Sequence, residues 1–211
     1  MQPLTTALLA LTIHMTLAVP NATAQQDATK TAARDPFAVE STYPFGAVPF
    51  DKVGPWHFPV AFDRAMAAQR DAVRRITVHR AVPTLQNVLE PFERSGLELD
   101  RIGSAFSVFT SNLSNDEVRK IQTEYSAKLT KHSTDILLDP ELFARIKAVH
   151  EHADAMQLDA EARRLASVTY DQFVRAGAAL APEARARVAE LTQRESALQT
   201  KFGQNLLKDT D

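Results

Sequence analysis

From Pro59 onward, apolar residues recur every three or four positions, and nowhere do they alternate with polar ones over a strand's length. The first period belongs to a helix buried on one face, the second to a half-buried strand. That pattern predicts an all-α fold. Phe62, Met66, Val73 and Ile76 mark the buried face of a first helix, with Pro59 suited to its opening turn. A second helix is expected over 84–96, disturbed by Pro91, and a third over about 98–109. Ser114-Asn115-Asp116-Glu117 reads as a capping box opening a fourth, with Val118, Ile121, Tyr125, Leu129 and Ile136 inward. Asp139-Pro140 joins an N-cap to a first-turn proline, and Leu142, Ile146 and Val149 line the fifth. Asp159 caps a sixth that ends near Gly177. Pro182 starts the last, in which Ala184, Val188, Leu191, Leu198 and Phe202 keep a heptad-like spacing. The loops between are short, so the helices pair as hairpins.

The stretch ahead of these helices divides into three. In residues 36–58, Pro-Phe occurs at 36–37, 44–45 and 49–50, which forbids a regular helix and favours extended backbone. Four Phe and a Trp have no place in a solvated linker, so this segment should pack along an apolar surface. Residues 25–35 are small and polar and read as a disordered linker. Residues 1–24 hold the apolar run "LTTALLALTIHMTLAV", closed by Pro20 and then Ala22-Thr23-Ala24. Small residues three apart before Gln25-Gln26 fit a signal peptide cleaved after Ala24, although Lys and Arg are missing from its start. The run is short for a stable membrane anchor and contains four Thr and His14. Export to the periplasm is the expectation.

Composition removes several kinds of chemistry. The net charge is −2 and no basic run exceeds two residues, so there is no dense basic face for nucleic acid. Six Gly leave no glycine-rich phosphate loop. With no Cys, disulfides, thiolate metal sites and thiol nucleophiles go together.

The stretch that comes nearest to a metal site is "KAVHEHADAM", residues 147–156. His150 and His152 lie roughly 200° apart around a helix and face opposite ways. The zinc-binding H-E-x-x-H arrangement needs histidines four apart, beside a glutamate that activates water. Four residues after His150 stands Asp154. His150, Glu151, His152 and Asp154 therefore read as a solvated helix surface. His57, His79 and His132 are scattered, without local partners, and Glu93, Glu98 and Asp100 read as a charged face across a helix junction. Phe37, Phe45 and Phe50 read as core. No serine sits in a G-x-S-x-G turn. The residues by themselves assign no catalytic, cofactor-binding or metal-binding position.

Several stretches in fixed order nevertheless carry a resemblance: "FGAVPFDKV" (45–53), "TLQNVLEPFERSG" (84–96), "DPELFARIKAVHEHAD" (139–154), "YDQFVRAGAAL" (170–180) and "LQTKFGQNLLKDT" (198–210). Together, over about 35–211, they resemble the N-terminal helical region of bacterial peptidyl-dipeptidases, or dipeptidyl carboxypeptidases, of the thimet oligopeptidase group of zinc metallopeptidases. The resemblance implies that 59–211 forms the N-terminal part of a larger helical, bowl-shaped enzyme that releases C-terminal dipeptides from oligopeptides. It implies zinc in the full-length family, held in a C-terminal catalytic half by H-E-x-x-H and a downstream glutamate. H-E-x-x-H occurs nowhere in these 211 residues. What carries over is a channel wall, with no catalytic residue. Pro91 departs from the continuous helix that relatives have there. The alternative is a stand-alone periplasmic helical module that binds peptides or a partner without catalysis.

Overall fold

The computed structural model describes residues 35–39 and 41–210, with side chains through Leu206. The signal peptide expected over 1–24 and nearly all of the 25–35 linker lie outside the described residues. Among the described residues six α-helices follow one another: α1 (His57–Thr77), α2 (Glu90–Asn112), α3 (Asp116–Leu137), α4 (Pro140–Glu151), α5 (Ala160–Ala176) and α6 (Pro182–Thr210). Among the described residues there is no strand, and no helix is long and apolar enough to cross a membrane. The all-α expectation holds.

Helix α1 is the spine. Its first half carries Phe58, Ala61, Phe62, Ala65 and Met66 into a core shared with α2 (Ile102, Ala105, Phe106, Phe109) and α3 (Val118, Ile121, Tyr125). Its second half carries Val73 and Ile76 into another core with Ile136, Leu142, Ile146, Val149, Ala166 and Phe173. The first core is aromatic at its centre. Phe58 has ring centroids of Phe106 at 4.9 Å, Phe109 at 5.0 Å and Phe37 at 5.5 Å around it. Phe62 meets Phe106 edge-on at 5.6 Å and stacks on Tyr125 at 5.3 Å. Tyr125 keeps its hydroxyl satisfied by donating to Asp63 Oδ2 at 3.0 Å, as a buried phenol requires.

The helix starts follow local chemistry. Asn115 Oδ1 accepts from Val118 N–H, Asp139 Oδ1 from Glu141 and Leu142 N–H, and Asp159 Oδ1 from Ala162 N–H. Each satisfies donors that the first turn leaves orphaned. The cap of α3 is thus Asn115 alone, not a box built on Ser114. Gly177 ends α5 at φ 101°, in the left-handed region that a β-carbon disfavours.

Three local expectations are corrected. The helices expected over 84–96 and 98–109 are one, because nothing breaks at Gly96. A β-carbon there would stand 3.2 Å from Gln69 Nε2, so glycine lets α1 and α2 approach closely. Pro91 does not interrupt this helix either. A wide π-type turn, Leu85–Leu89, precedes α2, capped reciprocally by Thr84 and Asn87. A proline clashes with the carbonyl four residues back in a regular helix, and a π turn displaces that carbonyl. The 36–58 segment packs through Phe37 and Val53, but short 3-10 turns at Pro36–Ala38 and Pro44–Gly46 punctuate it and His57 already belongs to α1. Phe45 sits in the second turn at φ 59° and is fully exposed, so it is not core, and Phe50 is half exposed beside Phe109. Asp35 belongs with this segment too: it is buried, caps the first turn through Phe37 N–H and pairs with Arg64 Nε at 2.6 Å.

Helix α6 starts at Pro182 as expected, with its heptad-spaced residues turned away from α3. The face that α6 turns toward α3 is polar. Ser196 bonds Thr130 at 2.7 Å, Thr200 bonds Ser126 at 2.8 Å, and Gln204 donates to Thr123 Oγ1 at 2.6 Å. The heptad-spaced residues point elsewhere: Leu191 is 47% exposed, Leu198 59% and Phe202 70%.

Candidate functional site

Where the two cores part company, α2 and α3 splay over α1 and leave a cleft of about 810 Å³. Phe62 and Gln69 of α1 form its floor. The α2 wall repeats every three to four residues, Glu93, Gly96, Asp100 and Gly103, so carboxylates alternate with bare backbone along one helix face. The α3 wall brings Thr130, His132 and Ser133, and Gln172 of α5 closes one end.

The sequence groups Glu93, Glu98 and Asp100 as one charged face, and the continuous helix separates them. Glu93 and Asp100 are seven residues apart and look into the cleft, whereas Glu98 lies roughly 140° round from Glu93 and pairs with Arg64. Among the described residues, Glu93 and Asp100 are the only formally charged side chains lining the cleft. It is a lightly acidic groove, suited to amide N–H groups or a cation.

His132 is the one buried histidine at this site. Its Nε2 is 2.8 Å from Gln69 Oε1, and with that oxygen as acceptor Nε2 carries the proton. Nδ1 is then left buried without a partner. Burial first, and the Arg70 guanidinium second, hold the imidazole pKa below its ordinary value, against a smaller opposing pull from Asp135. A base whose pKa falls on folding binds its proton more readily in the unfolded chain. Its contribution is complete above the unfolded value of about 6.5 and is lost as pH drops below it. We therefore expect stability to decline below that pH and the decline to be shallower in His132→Gln, as read from urea midpoints at two pH values. His132 holds no serine hydroxyl, so the described residues of the cleft contain no nucleophile–base pair.

The remaining histidines are dispersed. His57 Nδ1 accepts from Gly54 N–H at 2.9 Å, and His79 offers its carbonyl to Arg145. At the end of α4, the His150 ring stacks on Tyr170, with centroids 4.4 Å apart and planes 4° from parallel. His152 Nδ1 lies 2.8 Å from the Ala148 carbonyl, Glu151 pairs with Lys147, and Asp154 pairs with Arg163 at 2.8 Å. The four polar residues of this stretch thus go to four different partners. Among the described residues no three His, Asp or Glu gather closely enough to hold a metal ion. The zinc implied by the resemblance finds no donor set among them.

Gln69, Gly103, Ser104 and Gln172 do not stand out in the sequence. The Glu93–Gly96–Asp100–Gly103 spacing carries the signal, and dividing the helix at Gly96 hides it.

No protein-family profile matches the sequence. Among curated proteins it is similar to the dipeptidyl carboxypeptidase of Escherichia coli (strain K12), 36% identical over 173 residues, which is 82% of this chain and 25% of that protein. The dipeptidyl carboxypeptidase of Salmonella typhimurium matches to the same extent. Oligopeptidase A of Escherichia coli (strain K12) is 25% identical over 167 residues, 79% of this chain and 25% of the relative. The chain thus spans about a quarter of the length of the curated relatives it matches. The ordered stretches quoted above, the helical architecture and these identities agree: the chain belongs to the family of the dipeptidyl carboxypeptidases and oligopeptidase A, as a helical N-terminal part of it.

Proposed function

We propose that this chain forms the N-terminal wall of a larger exported zinc peptidase that releases C-terminal dipeptides from oligopeptides, and that it supplies shape and packing while the chemistry lies in a separate catalytic part. The observation that carries this reading is the 36% identity to dipeptidyl carboxypeptidase over one quarter of that protein. The donor chemistry of the chain supports the division of labour. Peptide hydrolysis of this type needs a metal that lowers the pKa of bound water and a carboxylate that takes its proton. His150, His152, Glu151 and Asp154, the stretch nearest to a metal motif, are spent on stacking, a helix end and surface pairs. The cleft between α2 and α3 has the size and polar lining to form part of a peptide path. Its Glu93 and Asp100 carboxylates and its Ser133 hydroxyl match the N–H and C=O groups of an extended peptide.

The test is a hybrid in which residues 35–211 replace the matching quarter of Escherichia coli dipeptidyl carboxypeptidase. Dipeptide release from a blocked oligopeptide is expected to return. A folded, zinc-loaded hybrid without activity would contradict the reading. Export belongs to the same proposal and rests on the apolar run before Ala22-Thr23-Ala24. Expressed in a Gram-negative host, the chain should be recovered from the periplasm beginning at Gln25. Soluble cytoplasmic material that retains Met1, seen by mass spectrometry, would refute this part.

A further inference from the structure

On α6, Leu191, Leu198 and Phe202 fall within a strip roughly 40° wide, at 100° per residue. Ser196, Thr200 and Gln204 lie on the opposite side and hold the hydrogen bonds to α3. Those bonds fix the rotation of the helix. Turning the apolar strip inward would break all three and bury leucines against Ser126, Thr130 and Thr123, so the strip is locked facing outward. Ahead of the helix, the half-exposed Leu180 sits on the Gly177 turn, which Val188 also approaches. From Leu191 to Phe202 the ridge is about 17 Å long and straight, the dimension of one helix packing along another. Arg194, Glu195 and Lys201 border it, all exposed, as a polar rim borders an apolar interface core.

We propose that this ridge is where the rest of the peptidase polypeptide docks, through an apolar helical face. The inference rests on the proposed function above. The occupant is argued from length: the relatives carry about three quarters of their chain outside the part matched here, and an exposed apolar ridge on the longest described helix is a surface for such a chain to cover. A second copy of this chain is the competing occupant.

The protein has no cysteine, so a single one reports its own surroundings. Phe202→Cys is made in the chain alone and in the hybrid described above, and maleimide labelling at that residue is followed by peptide mass mapping. The expected result is rapid labelling of the chain alone at every concentration, and labelling slowed by about tenfold or more in the hybrid, because a buried thiol is inert. Equal rates in both would overturn the proposal. Protection of the chain alone that grows with its concentration would overturn it too, in favour of a second copy. If the hybrid does not fold, cysteine is placed at the aligned position of intact Escherichia coli dipeptidyl carboxypeptidase. Protection there supports the proposal and free labelling refutes it. The two readings separate cleanly, since a hybrid that protects the thiol but releases no dipeptide keeps the docking face and loses the proposed function.

Discussion

Phe58→Ala is expected to cost about 3–5 kcal/mol of folding stability, much of what a domain of this kind possesses. Phe58 has no solvent exposure and stands at the meeting point of the N-terminal segment, α1 and α2. Four other rings surround it, those of Phe37, Phe62, Phe106 and Phe109, at centroid distances from 4.9 to 6.1 Å. Truncation removes the apolar transfer energy of the ring. It also leaves a void that rings held by three separate elements cannot refill together. The loss reaches the N-terminal segment as well, because Phe37 packs directly on Phe58. The Asp35–Arg64 pair, buried Val53 and the Arg101 bond to the Gly46 carbonyl are the contacts left to hold it. Urea unfolding followed by circular dichroism measures this. A loss below about 1 kcal/mol would place Phe58 among substitutions of the surface kind and contradict an aromatic core centred on it.

How much of this is legible in the sequence depends on what sort of information each feature needs. Periodicity finds the described helices, although it divides one of them in two, since Phe62, Met66, Val73 and Ile76 can share a face in no other regular conformation. Asp139-Pro140, Asp159 and Gly177 mark their helix ends correctly because caps are local chemistry. Gly96 misleads for the opposite reason. In isolation a glycine weakens a helix, and its use here, making room for Gln69 of another helix, is a tertiary fact. Pro91 misleads likewise, because a π turn before it removes the clash that a proline ordinarily brings. The cleft hides behind the same error: once α2 is continuous, Glu93 and Asp100 share a face and Glu98 leaves it. Helix α6 reads rightly as amphipathic, but a sequence does not say which face meets the rest of the chain. The polar face does, through Ser196, Thr200 and Gln204. The dispersal of His150, Glu151, His152 and Asp154 follows from angular spacing, although the Tyr170 ring that receives His150 lies on another helix.

The second large effect is an expected zero, and it concerns the catalytic chemistry. A tight zinc site takes three or four protein ligands in fixed geometry, and a catalytic one keeps a further position for water. Without cysteine, the ligands would have to come from histidines and carboxylates. The pair nearest in sequence, His150 and His152, diverges, one ring on Tyr170 and the other at the Ala148 carbonyl. Moving either toward the other would unstack the first or unwind the end of α4. The cleft offers Glu93 and Asp100 with His132, but that histidine has spent Nε2 on Gln69 and buries Nδ1. On the proposed division of labour, the chain alone is therefore expected to show no hydrolysis, for want of an activated water and a base placed to accept its proton.

The most direct measurement is to dialyse the purified chain against zinc, determine the bound metal, and assay dipeptide release from a blocked oligopeptide with and without a chelator. Substoichiometric zinc and no release above background are the expected results. Stoichiometric zinc together with chelator-sensitive dipeptide release from the chain alone would contradict the assignment of the chemistry to a separate catalytic part.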